Sequence, residues 1–108
     1  MDVPEIDIAE AARRHAAGTP VIDVREPDEY VDGHVPGAPL IPLATVPHRV
    51  SEVPSQGEVL VICKSGGRSQ RAAEFLRAQG IDAVNIAGGT TGWIDAGHRV
   101  VIGDEAGA

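Results

Sequence analysis

Val59-Leu60-Val61-Ile62-Cys63-Lys64-Ser65-Gly66-Gly67-Arg68-Ser69 is the stretch that decides the fold of this 108-residue chain. An apolar, β-branched run ends on the one cysteine of the sequence, turns through two glycines between a lysine and an arginine, and enters a helical pattern at Ser69. This order reads as a strand, an anion-cradling loop and a helix, the unit from which parallel α/β sheets are assembled.

Outward from that unit the pattern repeats. Upstream, Pro20-Val21-Ile22-Asp23-Val24 is a short apolar run bounded by turn signals, as expected of a strand buried on both faces. Downstream, residues 69–79 predict a helix whose Ala72, Ala73, Phe75 and Leu76 face the sheet, with Gly80 as its stop. Ala83-Val84-Asn85-Ile86 is another strand, closed by Gly88-Gly89, and residues 90–96 form a last short helix carrying Trp93.

The first third is less regular. Residues 3–6 suit a short edge strand, and Asp7-Ile8-Ala9-Glu10 is an acidic capping box opening a helix with Ile8, Ala11, Ala12, His15 and Ala16 on one face. Pro27 begins a helical turn after Arg25-Glu26, and Gly33-His34-Val35-Pro36-Gly37-Ala38-Pro39 is a shaped loop. Leu40 and Ile41, beside Pro42, allow a brief strand, and residues 47–52 a short helix. Residues 99–102 extend or cover a sheet edge, and the small, polar tail from Gly103 is expected to fray. With no repeat, linker or low-complexity block, one α/β domain with a mainly parallel sheet over residues 1–108 is expected.

Composition narrows the function. A net charge of -7 sets the long-range field against nucleic acids and anionic membranes, so neither is an expected partner. No apolar run approaches the roughly 20 residues of a membrane span. The N-terminus is acidic and lacks the regions of a signal peptide, which makes the cytoplasm the expected location. A single cysteine excludes an internal disulfide, a dithiol redox centre and a cysteine-rich zinc site, so neither metal nor cofactor is expected and chemistry at Cys63 needs an external partner.

Ligands of open α/β sheets bind beyond the carboxyl ends of the strands, where Cys63 falls. Gly66 and Gly67 let the backbone curl so that successive N–H groups point inward, and the following helix adds its free amides and positive dipole end. Lys64, the only lysine, and Arg68 add positive charge unless they turn to solvent. All of this favours a thiolate and a depressed cysteine pKa. The competing reading of Cys63 is a small buried hydrophobe at a strand end.

The loop Cys63-Lys64-Ser65-Gly66-Gly67-Arg68-Ser69 resembles the active-site loop of rhodanese-like sulfurtransferases, and the resemblance covers nearly the whole chain. Asp23-Val24-Arg25-Glu26-Pro27-Asp28-Glu29-Tyr30, Gly33-His34-Val35-Pro36-Gly37-Ala38 and Ile41-Pro42-Leu43 resemble that family's N-terminal signature. Asn85-Ile86-Ala87-Gly88-Gly89 with Trp93 and Ala96-Gly97 is similar to its C-terminal one. The resemblance implies a rhodanese-like domain with a five-stranded, mainly parallel sheet flanked by helices, its cysteine loop following the fourth strand. It implies that Cys63 takes the outer sulfur of thiosulfate or another small-molecule or protein donor, becomes a persulfide, and yields the sulfur to cyanide or a thiol acceptor. By the same resemblance the backbone of Lys64, Ser65, Gly66, Gly67, Arg68 and Ser69 stabilises the persulfide, while Arg68 and Lys64 orient an anionic donor.

Arg25 resembles a family position near the mouth of the site, and the competing role is a structural lock onto Glu26 or Glu29. Asp23 and His34 read as ties for the glycine-proline loop rather than as bases. His48 and His98 read as surface residues, and Trp93 as core or pocket wall. A cysteine-dependent phosphatase of the related fold is a rival, but its signature has five residues between cysteine and arginine where this chain has four. A persulfide relay between proteins and a non-catalytic binding module would each also suit the same fold. Frequent Ala, Gly, Val and Arg suggest a GC-rich bacterial source.

Overall fold

A computed structural model of the chain describes residues 2–107. Its centre is a parallel sheet of four strands in the order β1 (Glu5–Ile6), β4 (Asp82–Ile86), β3 (Glu58–Ile62) and β2 (Val21–Asp23). The helices α1 (Ile8–Ala16), α2 (Pro27–Val31) and α3 (Gly67–Ala78) lie in the connections between successive strands, and α4 (Gly89–Asp95) follows β4. The register pairs Leu60 with Val21 on one side and Val84 on the other.

The strand alternation sorts the core into two layers. Val59, Val61 and Cys63 pack with Ala72, Ala73 and Leu76 of α3, whereas Leu60 and Ile62 face the opposite way, toward Ala11 of α1 and Trp93 of α4. A two-residue period therefore puts Cys63 on the α3 face, where the helix that follows the loop can reach back to it. All of β3 from Val59 to Ile62 is buried, which accounts for its continuous apolar run.

The expected sheet of five strands is corrected to four, and the cysteine loop follows the third strand in chain order. The missing strand is the 40–41 segment. It runs beside β2 and makes only one parallel bridge, Asp23 to Leu40. Ile41 donates to the Asp23 carbonyl and Leu43 to that of Val24, at 2.8 and 3.0 Å. Pro39 and Pro42 flank the bridge and have no N–H with which to extend a ladder. The chain then passes into 3₁₀ turns at Leu43–His48 and Val50–Glu52 instead of one short helix.

Asp7 caps α1 by accepting from the Glu10 amide, but Glu10 turns to Arg13 and Arg14 instead of closing the box. The tail from Gly103, which the sequence expects to fray, makes hydrogen bonds with the body of the domain. Gly103 donates to the Val31 carbonyl, Gly37 donates to the Ala106 carbonyl, and the buried His34 ring lies between the carbonyls of Tyr30 and Glu105 at 2.8 Å each. His34 also stacks on Tyr30. Among the described residues, no helix is long and apolar enough to cross a membrane.

Candidate active site

Gly66 caps α3 with φ +121°, a backbone conformation that side chains disfavour, and this lets the loop fold its amides toward the preceding cysteine. Cys63 Sγ accepts from the Gly66 N–H at 3.1 Å and from the Ser69 hydroxyl at 3.3 Å. Burial pushes the thiol pKa up, yet the Ser69 hydroxyl and the amides of Ser69, Gly66 and Ser65 outweigh it and bring the thiol below its ordinary value. The cysteine is 1% exposed, so the hydrogen bonds rather than water carry that stabilisation.

The carbonyls of the loop are held on its far side. Thr90 donates to the Cys63 carbonyl through both its amide, at 2.8 Å, and its hydroxyl, at 3.0 Å, and the Thr91 amide reaches the Lys64 carbonyl at 3.1 Å. With acceptors turned toward α4 and donors toward the sulfur, the loop presents an electropositive concavity. Gly89 makes this apposition possible. A Cβ there would fall inside contact distance of the Lys64 and Cys63 carbonyls, and its φ of +57° is left-handed.

The cations divide differently from the sequence expectation. Arg68 makes a two-pronged pair with Glu29 of α2, at 2.7 and 2.8 Å, which holds the Glu29 carboxyl at about 2. Arg25 is not paired with the carboxylate of Glu26 or Glu29. It forks onto Asp23 at 2.8 to 3.1 Å and donates to the carbonyls of Glu29 and Gly33. Both members of that pair are almost fully buried, so Arg25 ties the 33–38 loop to the end of β2, with its side chain also on the wall of the cleft. Lys64 and Ser65 are exposed. Lys64, Glu29, Asp32, Thr90, Thr91 and Ile94 enclose, with Arg25, a cleft of about 240 Å³ at the mouth of the loop. Gly67 opens α3 and is exposed.

Three participants escape a linear reading: Glu29, Thr90 and Asn85. Asn85 is 1% exposed in β4 and accepts from the Ser69 hydroxyl at 2.5 Å. Its signal in the sequence is a lone amide within Ala83-Val84-Asn85-Ile86. His48 is exposed as expected, whereas His98 packs half-buried against Trp93, whose indole donates to the Arg99 carbonyl. Among the described residues, no group of three His, Cys, Asp or Glu side chains is arranged to hold a metal.

Comparisons with known proteins converge on one family. The rhodanese-like domain model matches residues 7–96. A protein named sulfurtransferase from Allochromatium vinosum is 36% identical over 102 residues, covering 92% of this chain and 95% of that protein. The thiosulfate sulfurtransferase GlpE of Pseudoalteromonas translucida is 34% identical over 74 residues, covering 68% of this chain and 70% of that protein. The crystal structure of a rhodanese-related protein from Thermoplasma volcanium superposes with a TM-score of 0.85 at 33% identity, covering 91% of this chain and 97% of the other.

Proposed function

The chain belongs to the rhodanese-like domain family, and on that premise we propose that it is a sulfurtransferase that carries sulfane sulfur on Cys63. The observation that supports this best is the sulfur held at 3.1 Å from the Gly66 amide and 3.3 Å from the Ser69 hydroxyl, at the start of a helix. The Gly66 amide is fixed by the backbone of the loop, so it stabilises charge on sulfur without reorganising.

In the proposed reaction the Cys63 thiolate attacks the outer sulfur of thiosulfate. A bond forms between the two sulfurs, the original S–S bond breaks, and sulfite leaves with the electron pair. The product is a Cys63 persulfide anion, with total charge unchanged. The outer sulfur, now anionic, lies in the concavity formed by residues 64–69. Cyanide or a thiolate then attacks that outer sulfur, forms thiocyanate or a new persulfide, and returns Cys63 to the thiolate. Lys64 and Arg68 draw an anionic donor to the cleft. Arg68 does so in competition with Glu29.

A protein persulfide is the alternative donor, with a protein thiol as acceptor, and the same loop chemistry serves it. Intact mass after thiosulfate treatment tests the reading. Wild-type protein should gain one sulfur that cyanide discharges, and Cys63→Ser should gain none. Failure of wild type to take up sulfur from several sulfane donors would overturn it.

A further inference from the structure

The Ser69 hydroxyl has more acceptors around it than protons to give. Its Oγ lies 3.3 Å from Cys63 Sγ, 3.2 Å from the Gly66 carbonyl and 2.5 Å from Asn85 Oδ1. A hydroxyl carries a single hydrogen, so these bonds exclude one another. Asn85 cannot leave the contest by turning its amide over. Its Nδ2 faces Glu5 Oε2 at 2.9 Å, the Gly66 carbonyl at 3.2 Å and Gln70 Oε1 at 3.2 Å. Reversal would set Oδ1 against a carboxylate and a carbonyl, so the network fixes Oδ1 toward Ser69.

We propose that Asn85 is a positioning residue that governs how far the Ser69 hydroxyl is given to the Cys63 sulfur, through a chain from Glu5 on β1 by way of Asn85 on β4 and Ser69 on α3. The inference rests on the reading of Cys63 as the sulfur carrier. A thiolate is a charged acceptor and draws the hydroxyl toward itself. Once the charge has moved to the outer sulfur of a persulfide, Sγ is a weak acceptor and Ser69 returns to Asn85. The amide therefore keeps the hydroxyl partnered in both states, which brings their energies closer together and eases the passage of sulfur in either direction. Without Oδ1 the hydroxyl is shared only between the sulfur and the Gly66 carbonyl, so more of it goes to the sulfur and the resting thiolate is favoured more strongly.

The ionisable groups that surround the loop are Glu5 from β1, Asp23 and Arg25 from β2 and its exit, Glu29 and Asp32 from α2 and its end, Lys64 of the loop itself and Arg68 of α3. Asn85→Ala replaces none of them and takes from Glu5 only its hydrogen bond to the amide. The test is the rate of Cys63 alkylation by iodoacetamide as a function of pH, read on the full chain in wild type, Asn85→Ala, Ser69→Ala and the double variant. Asn85→Ala should move the midpoint of the profile to lower pH, and that shift should vanish in the Ser69→Ala background. A midpoint that stays or rises in Asn85→Ala overturns the proposal. So does an equal fall with Ser69 absent, which would mean a packing or solvation effect.

If Asn85→Ala does not fold, Glu5→Ala decides by the same criterion, because Glu5 is exposed and its removal loosens the amide. A plain charge effect of Glu5 would persist without Ser69, whereas an effect relayed through the hydroxyl would not. Alkylation needs no sulfur donor. A chain that shows the shift yet takes up no sulfur refutes the proposed function and, with it, the part given to Asn85 in sulfur passage, while the control of the Cys63 thiol by Asn85 stands.

Discussion

Glu29 occupies both donor prongs of Arg68, at 2.7 and 2.8 Å. The two residues come from different crossovers, α2 and α3, and meet beside the cleft. The cation that the family resemblance gives to an anionic donor thus has an internal anion as its partner. A donor must either share Arg68 with Glu29 or displace it.

This competition has a kinetic signature. The pair is about one-third exposed on the Arg68 side, and exposed pairs are worth at most about 1 kcal/mol. Glu29→Gln should therefore lower KM for thiosulfate by up to about fivefold. Arg68→Ala should raise KM with a smaller effect on kcat. Steady-state thiocyanate formation measures both, and a higher KM in Glu29→Gln would show that Glu29 assists donor binding instead.

The same pair should leave a mark on acid stability. Hydrogen bonding to Arg68 holds the Glu29 carboxyl at about 2, below its usual 4.5, with burial opposing. A carboxylate whose folded value is depressed stabilises the native state above the unfolded value and loses that contribution as pH falls through the folded one. Wild type should exceed Glu29→Gln by about 0.5 to 1 kcal/mol at neutral pH. The gap should close between 4.5 and about 2. Urea unfolding across that range checks it, and a gap that widens on acidification would contradict the pairing.

Arg25 is expected to matter for folding more than for donor affinity. Its side chain is 6% exposed and that of Asp23 is fully buried, so Arg25→Ala strands a carboxylate and releases the Gly33 carbonyl. Breaking a buried pair on one side costs about 3 to 5 kcal/mol. Denaturant unfolding should show a loss of that size. An Arg25→Ala protein of wild-type stability with a raised KM would reassign Arg25 to the mouth of the site.

The C-terminal tail should prove part of the fold. Truncation after Ile102 removes the bonds from Gly103 to Val31, from Gly37 to Ala106 and from the His34 ring to Glu105. At about 1 kcal/mol for each lost bond, the truncated chain should lose about 2 to 3 kcal/mol. Limited proteolysis should then cut within residues 33–38. Unchanged stability and cleavage would mean that the tail merely lies over a loop that holds its own shape.

What is legible in the sequence follows the range of the interactions. The Val59-Leu60-Val61-Ile62-Cys63 run carries its own period, so its burial and the face taken by Cys63 can be read locally. Gly66 and Gly67 announce the turn for the same reason. The partner of Arg68 lies 39 positions away and is chosen by how two crossovers pack, which no local pattern records. Arg25 invites pairing with the nearest carboxylates in a helical spacing, yet it sits on extended chain, where residues two apart share a side and Asp23 is the neighbour. The fifth strand fails because two prolines leave the 40–41 segment too few donors for a ladder. Asn85 is visible only as an exception within an apolar strand, and its partners emerge once β1 and α3 are placed beside it.

Gly89 offers the sharpest test of how the cradle is built. Thr90 and Thr91 can donate to the Cys63 and Lys64 carbonyls only because nothing stands between α4 and the loop. A methyl group at Gly89 would strike those carbonyls, and both neighbours are backbone, so neither can swing aside cheaply. The φ of +57° adds strain for any side chain. Gly89→Ala should therefore cost about 2 to 3 kcal/mol. It should also rotate the 63–64 peptides, taking amides away from the sulfur, so that the alkylation midpoint of Cys63 rises and sulfur uptake falls. Thermal unfolding with intact mass after thiosulfate checks both effects. A Gly89→Ala protein that is less stable but loads sulfur as readily as wild type would show that carbonyl orientation serves the fold and not the cradle.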